Sequence, residues 1–147
     1  MKFVPSTTTV ADAIESAKST AEELRGELQD WLDNLPENLQ SSEKADALQE
    51  AIDALEEAES ELEGDLPADV ADLAVQYNAP GYSKSTYMSR AKRLEAGVAP
   101  LRGVVEALEK WADTCEDNDL IDEVQGVATY VEYALDSLDA VEFPTMR

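Results

Sequence analysis

Val10, Ile14, Ala17, Ala21, Leu24, Leu28, Trp31 and Leu35 follow one another at steps of 4, 3, 4, 3, 4, 3 and 4. That rhythm places every one of them on a single side of an α-helix and leaves the other side polar, so the segment predicts a long amphipathic helix with a face to bury. Thr8 or Thr9 offers an N-terminal cap, and Pro36 ends the run because it removes a backbone donor and restricts the residue before it. The same logic predicts a second helix from Glu43 to Glu63, capped by Ser41 or Ser42 and closed by Gly64. Its inward positions are Ala45, Leu48, Ile52, Leu55 and Leu62, and Ala47, Ala51, Ala54 and Ala58 allow close approach of a neighbour.

Pro67 suits the first turn of a short helix, PADVADLAVQYN, with Val70, Leu73, Ala74 and Tyr77 inward. A fourth pattern starts at Ser83 or Ser85 and runs through Tyr87, Ala91, Leu94, Val98, Leu101, Val105, Leu108, Ala112 and Cys115. Gly97 and Pro100 lie inside it, which predicts a kink or break near Gly97. A fifth pattern carries Ile121, Val124, Ala128, Val131, Leu135 and Leu138 until Pro144. No useful stretch alternates with period two, so strands are not expected. The expected fold is all-α: a single domain over residues 1–147, built as an antiparallel bundle of four long helices plus one short connecting helix. Residues 1–8 would be a flexible arm, 9–64 the first hairpin, 67–82 the connector and 83–142 the second hairpin.

The chain holds 33 acids against 11 bases and no histidine, for a net charge of −22. Without imidazole the usual nucleophile pairs, zinc sites and Glu-x-x-His di-iron motifs are excluded, and neither a metal nor another cofactor is expected. The acid-rich run Asp113, Glu116, Asp117, Asp119, Asp122 and Glu123 lacks the glycine and the twelfth-position glutamate of an EF-hand loop, so it reads as a helix cap and turn, with Asp117 and Asn118 as caps. Paired carboxylates could support glycoside hydrolysis, but a narrow alanine-rich bundle offers little cleft, so an enzyme is not expected. Cys115 sits at an apolar seam position among acids that would raise its pKa, which makes it a core residue rather than a reactive thiolate. With one cysteine, no apolar leader and no stretch near eighteen apolar residues, a cytosolic protein is expected. Anionic membrane and bare nucleic acid would repel it, which leaves basic proteins as favoured partners.

The charge is not spread evenly along the chain. Residues 1–72 carry net −16 and residues 111–147 net −9, whereas residues 73–110 carry net +3. Lys84, Arg90, Lys92 and Arg93 gather there beside Tyr82 and Tyr87. The favoured reading is that these cations neutralise a neighbouring acidic helix; a secondary contact made by Tyr82, Lys84, Tyr87, Arg90 and Arg93 is the other.

Glu43, Asp46, Glu50, Asp53 and Glu57 recur at steps of 3 and 4 on the outer side of the second helix, with Asp30 and Asp33 nearby. A net charge of −22 lies far outside the range of about 2 to 8 suited to a small soluble domain, and its self-repulsion costs stability. In a DNA duplex that many charges occupy roughly 37 Å of axis, which is also about the length of a 25-residue helix. Molar-salt habitat is another cause that would select acid-rich surfaces.

The segment LQDWLDNLPENLQSSEKADALQEAIDALEEAE, residues 28–59, resembles small acidic helical proteins encoded by bacteriophages. The resemblance implies a phage early protein, a class that includes DNA-mimicking inhibitors of host restriction, CRISPR and other DNA-binding defence machinery. The expected function is therefore non-enzymatic inhibition, with Asp30, Asp33, Glu43, Asp46, Glu50, Asp53 and Glu57 bound in the groove of a basic nucleic-acid-binding host protein. The rival expectation is a helical scaffold that forms a homodimer or docks to a partner helix through its apolar seams.

Overall fold

Thr9 ends one element and starts the next. Its backbone is extended (φ −110°, ψ 163°) while its hydroxyl accepts a hydrogen bond from the Asp12 amide, so a strand runs directly into a capped helix. The structure, a computed structural model, describes residues 3–39, 42–80 and 89–143. The elements are β1 (Phe3–Thr9), α1 (Val10–Asp33), a 3₁₀ turn (Glu37–Leu39), α2 (Glu43–Glu61), α3 (Ala68–Ala71), β2 (Ala74–Pro80), α4 (Arg90–Arg102), α5 (Val104–Thr114) and α6 (Asn118–Asp139). The fold is all-α in its bulk, with one small antiparallel ribbon, and no helix among the described residues is long and apolar enough to cross a membrane.

Cross-helix pairs fix how the helices run. Arg90 and Arg93 meet Glu27, and the Ser16 hydroxyl donates to the Gly97 carbonyl at 3.1 Å, so α4 descends along α1. Lys44 lies over the Trp31 ring and Arg25 reaches Glu59, so α2 also runs against α1. Leu108 and Ala112 of α5 line one hollow with Val124 and Ala128 of α6, and Arg102 at the end of α4 pairs with Asp139 at the end of α6, so α6 packs on α5 and α2 and meets α4 only at its last turn. Leu24, Leu28, Leu48, Ile52, Leu55, Leu101 and Leu108 fill the interior, and no charged or polar residue among those described is buried. Each such leucine contributes about 1.5–3 kcal/mol of burial relative to exposure, which favours helix faces that individually are only marginally helical.

Several expectations need correction. The arm at residues 1–8 contains β1, and the connector helix is confined to Ala68–Ala71, because Val75, Tyr77 and Ala79 form a short alternating strand that pairs with β1 from Thr9↔Ala74 to Phe3↔Pro80. Helix α2 ends at Glu61 with Leu62 as its cap, and Gly64 instead gives room to the Tyr130 ring, whose Cε2 would lie 2.8 Å from an added Cβ. The fourth pattern begins at Arg90 behind the Ser89 cap; the candidate start at Ser83 or Ser85 lies outside the described residues.

The break in that pattern is also displaced. Helix α4 passes through both Gly97 and Pro100 and yields only at Gly103, whose amide bonds the Pro100 carbonyl at 3.1 Å in the tighter i→i+3 manner. Gly97 is a packing residue: an added Cβ there would lie 2.0 Å from Thr20 Oγ1. Gly103 lets the elbow approach β2, with Gln76 O 2.6 Å from the same hypothetical atom. Two alanine substitutions should therefore move stability in opposite directions in urea unfolding. Gly97→Ala should cost about 1–3 kcal/mol through overpacking, whereas Gly26→Ala, in open space on α1, should gain about 0.5–1 kcal/mol.

Candidate functional site

Cations are scarce, and the structure commits the described arginines to helix seams. Arg93 grips α1 by donating to Glu23 at 2.5 Å and to both carboxylate oxygens of Glu27, and Arg90 Nε donates to Glu27 at 3.2 Å. Arg25 Nε lies 2.5 Å from Glu59 across the α1–α2 seam. Arg102 lies 2.6 Å from Asp139 across α4 and α6. The Glu27 carboxyl titrates below its usual range, first because Arg93 hydrogen-bonds its charged form and then through the nearby charges of Arg93 and Arg90, against the opposing effect of burial. Arg93 and Arg25 are raised for the reciprocal reason, by their hydrogen bonds to Glu27 and Glu59.

What remains is an uneven molecule. Helices α2 and α6 together hold fourteen acids against Lys44 alone, net −13. Helices α1, α4 and α5 hold eleven acids against seven bases, net −4.

The five carboxylates proposed on α2 all stand exposed. Glu43, Asp46, Glu50, Asp53 and Glu57 fall on the side opposite buried Leu48, Ile52 and Leu55, in a row of about 21 Å at the helical rise. None of them makes an ion pair among the described residues; Asp53 only accepts from Gln49 at 2.9 Å. Asp30 and Asp33 are exposed at the far end of α1, where Gln29 donates to Asp33 at 2.9 Å. Glu22 of α1 and Glu56 of α2 both act on Arg25, so the acids of the two helices flank one seam. The anionic surface therefore extends from α2 onto α1.

The basic cluster is divided. Arg90 and Arg93 are spent on α1, with Arg90 also 5.4 Å from the Trp31 ring, which adds a cation–π contact to the ion pair. Tyr82, Lys84 and Tyr87 lie outside the described residues. Asp117 caps α6, accepting from the amides of Asp119 and Leu120 at 3.1 and 3.3 Å. Cys115 is half-buried just beyond α5, at a helix end rather than in a seam. A cleft of about 700 Å³ opens between the ribbon and α5, and its Glu106 is paired with Lys110 at 3.1 Å.

Sequence reasoning missed Arg25, Glu27 and Glu59, whose roles exist only across helix seams. The one available signal was their half-inward position beside the apolar stripe. Tyr133, 58% exposed on α6, also carried no sequence signal.

Glu27 has a definite pH signature. Its lowered folded-state pKa stabilises the fold above the ordinary carboxylate pKa, and that contribution disappears as pH falls through the folded value. The stability advantage of the wild type over Glu27→Gln should therefore be full at pH 6 and shrink steadily below about pH 4.3, as read from urea midpoints. A difference that stays constant to pH 3 would contradict the assignment. No protein-family model, curated protein or solved structure matches the chain.

Proposed function

We propose that the anionic face of α2 and the adjoining edge of α1 occupies the positive groove of a nucleic-acid-binding protein in place of the DNA backbone. One observation carries the reading: the carboxylates from Glu43 to Glu57 stand in an exposed row without ion pairs among the described residues, while the arginines are held at the seams. A chain optimised only for folding would distribute its few cations to relieve that row. Lysine and arginine side chains of a DNA-binding groove would relieve it in trans, with affinity and on-rate that fall steeply with salt.

The α2 terminus supports the same direction. Glu56, Glu57, Glu59 and Glu61 crowd the negative end of the helix dipole with no base in the last turn, so this arrangement opposes local stability. The likeness of residues 28–59 to acidic phage proteins supports a host DNA-binding defence protein as the target class and inhibition as the outcome. The scaffold reading needs an uncovered apolar strip. Among the described residues the exposed large hydrophobics are Leu39 and Tyr133, one on the 3₁₀ turn and one on α6.

The test is capture from host lysate at low and moderate salt, with duplex DNA as competitor. Captured proteins should be DNA-binding, should elute between about 0.05 and 0.3 M salt, and should be displaced by the duplex. The variant Asp46→Lys, Glu50→Lys, Asp53→Lys, Glu57→Lys should retain its helical circular dichroism and lose them. Partners that survive the charge reversal, or that duplex DNA fails to displace, would overturn the proposal.

A further inference from the structure

Among the described residues the β1–β2 ribbon is the element without a charge: neither FVPSTTT nor AVQYNAP contains an acid or a base. The molecule's net charge of −22 repels copies elsewhere, but the ribbon contributes none of it, and Glu106 and Lys110, which line the same cleft as Pro5 and Thr7, pair with each other. Strand register shows which backbone groups it exposes. Pairing runs without a bulge from Phe3↔Pro80 to Thr9↔Ala74, and the next step of the same register is the Val10 N–H donating to Leu73 O at 3.0 Å.

In an antiparallel ladder alternate pairs exchange both hydrogen bonds, so Thr8↔Val75, Ser6↔Tyr77 and Val4↔Ala79 are the bonded pairs. The main-chain groups of Phe3, Pro5 and Thr7 then point away from β2, toward the outer edge of β1. Both prolines of the ribbon obey this parity: Pro5 and Pro80 fall at outward positions, where a missing N–H costs the ladder nothing. No strand among the described residues pairs with that outer edge.

We infer that the outer edge of β1 is a latent pairing surface for β1 of a second copy of this chain, and that Pro5 suppresses the association. A β1–β1′ pair centred on Thr7 would set Pro5 opposite Thr9 of the other copy, and the two-fold axis repeats the missing donor. Each copy thus loses one of the few hydrogen bonds such a short edge can make. Proline is a recognised means of closing an edge strand, and here it stands in for the charged side chains that the rest of the surface supplies.

Sedimentation velocity over a concentration series in 0.5 M NaCl, where charge repulsion is screened to a few ångströms, tests the inference. The wild type should stay monomeric, and Pro5→Thr should self-associate with a dissociation constant lower by roughly tenfold or more. Adding Thr7→Pro to Pro5→Thr, which places a proline at another outward position, should restore the monomer with the same helical circular dichroism. Hydrogen exchange on the wild type reads the parity directly: the Ser6 and Thr8 amides should be protected and the Thr7 amide should not. A Pro5→Thr variant that remains monomeric, a double variant that associates equally, or a protected Thr7 amide in the monomer would each overturn it.

Discussion

Thirty-three acids and eleven bases have to share one small fold, and the placement of the bases decides what the molecule can be. Arg25, Arg90, Arg93 and Arg102 each bridge two helices rather than relieve the surface. Glu27 is the clearest case, since one carboxylate on α1 receives two arginines from α4 and its own titration is displaced by them. Half-exposed pairs of this kind are individually weak, but they take up the cations that could otherwise relieve the surface. With the arginines so engaged, the outer face of α2 is left with its charge unrelieved. The fold and the anionic face thus follow from the same shortage.

The sequence was most legible where periodicity is long. Val10, Ile14, Ala17, Ala21, Leu24 and Leu28 are buried as their spacing requires, and Leu48, Ile52 and Leu55 likewise. It was least legible in short segments whose structure is decided by partners far along the chain. Strand β1 is rich in threonine, and β2 carries Val75, Tyr77 and Ala79 on alternate positions, yet neither run is long enough to outweigh a neighbouring helical pattern. Their pairing joins residues more than sixty positions apart, and no local signal encodes that.

Gly97 and Pro100 show a different limit. Both are helix breakers by intrinsic preference, and tertiary packing overrides both: Gly97 is wanted for its missing side chain against Thr20, and Pro100 is buried within α4. The elbow falls at Gly103, where β2 needs the space. At the candidate site, exposure of the α2 carboxylates followed directly from helical geometry. The identity of the cations beside them did not, because Arg25 and Glu59 meet only after two helices have docked.

The central claim is that the α2 row serves a partner at the expense of the fold. It is tested most directly by the free energy of unfolding of Glu50→Gln, Asp53→Asn, Glu57→Gln at low ionic strength, where like-charge repulsion is least screened. Each amide keeps the size and nearly the helix propensity of the acid it replaces while removing charge, so the account predicts a gain of several tenths to about 1 kcal/mol over wild type, fading as salt is added. A loss of stability would show that these carboxylates work for the fold itself, and a gain that salt leaves unchanged would show that charge repulsion is not its cause; either would contradict the account.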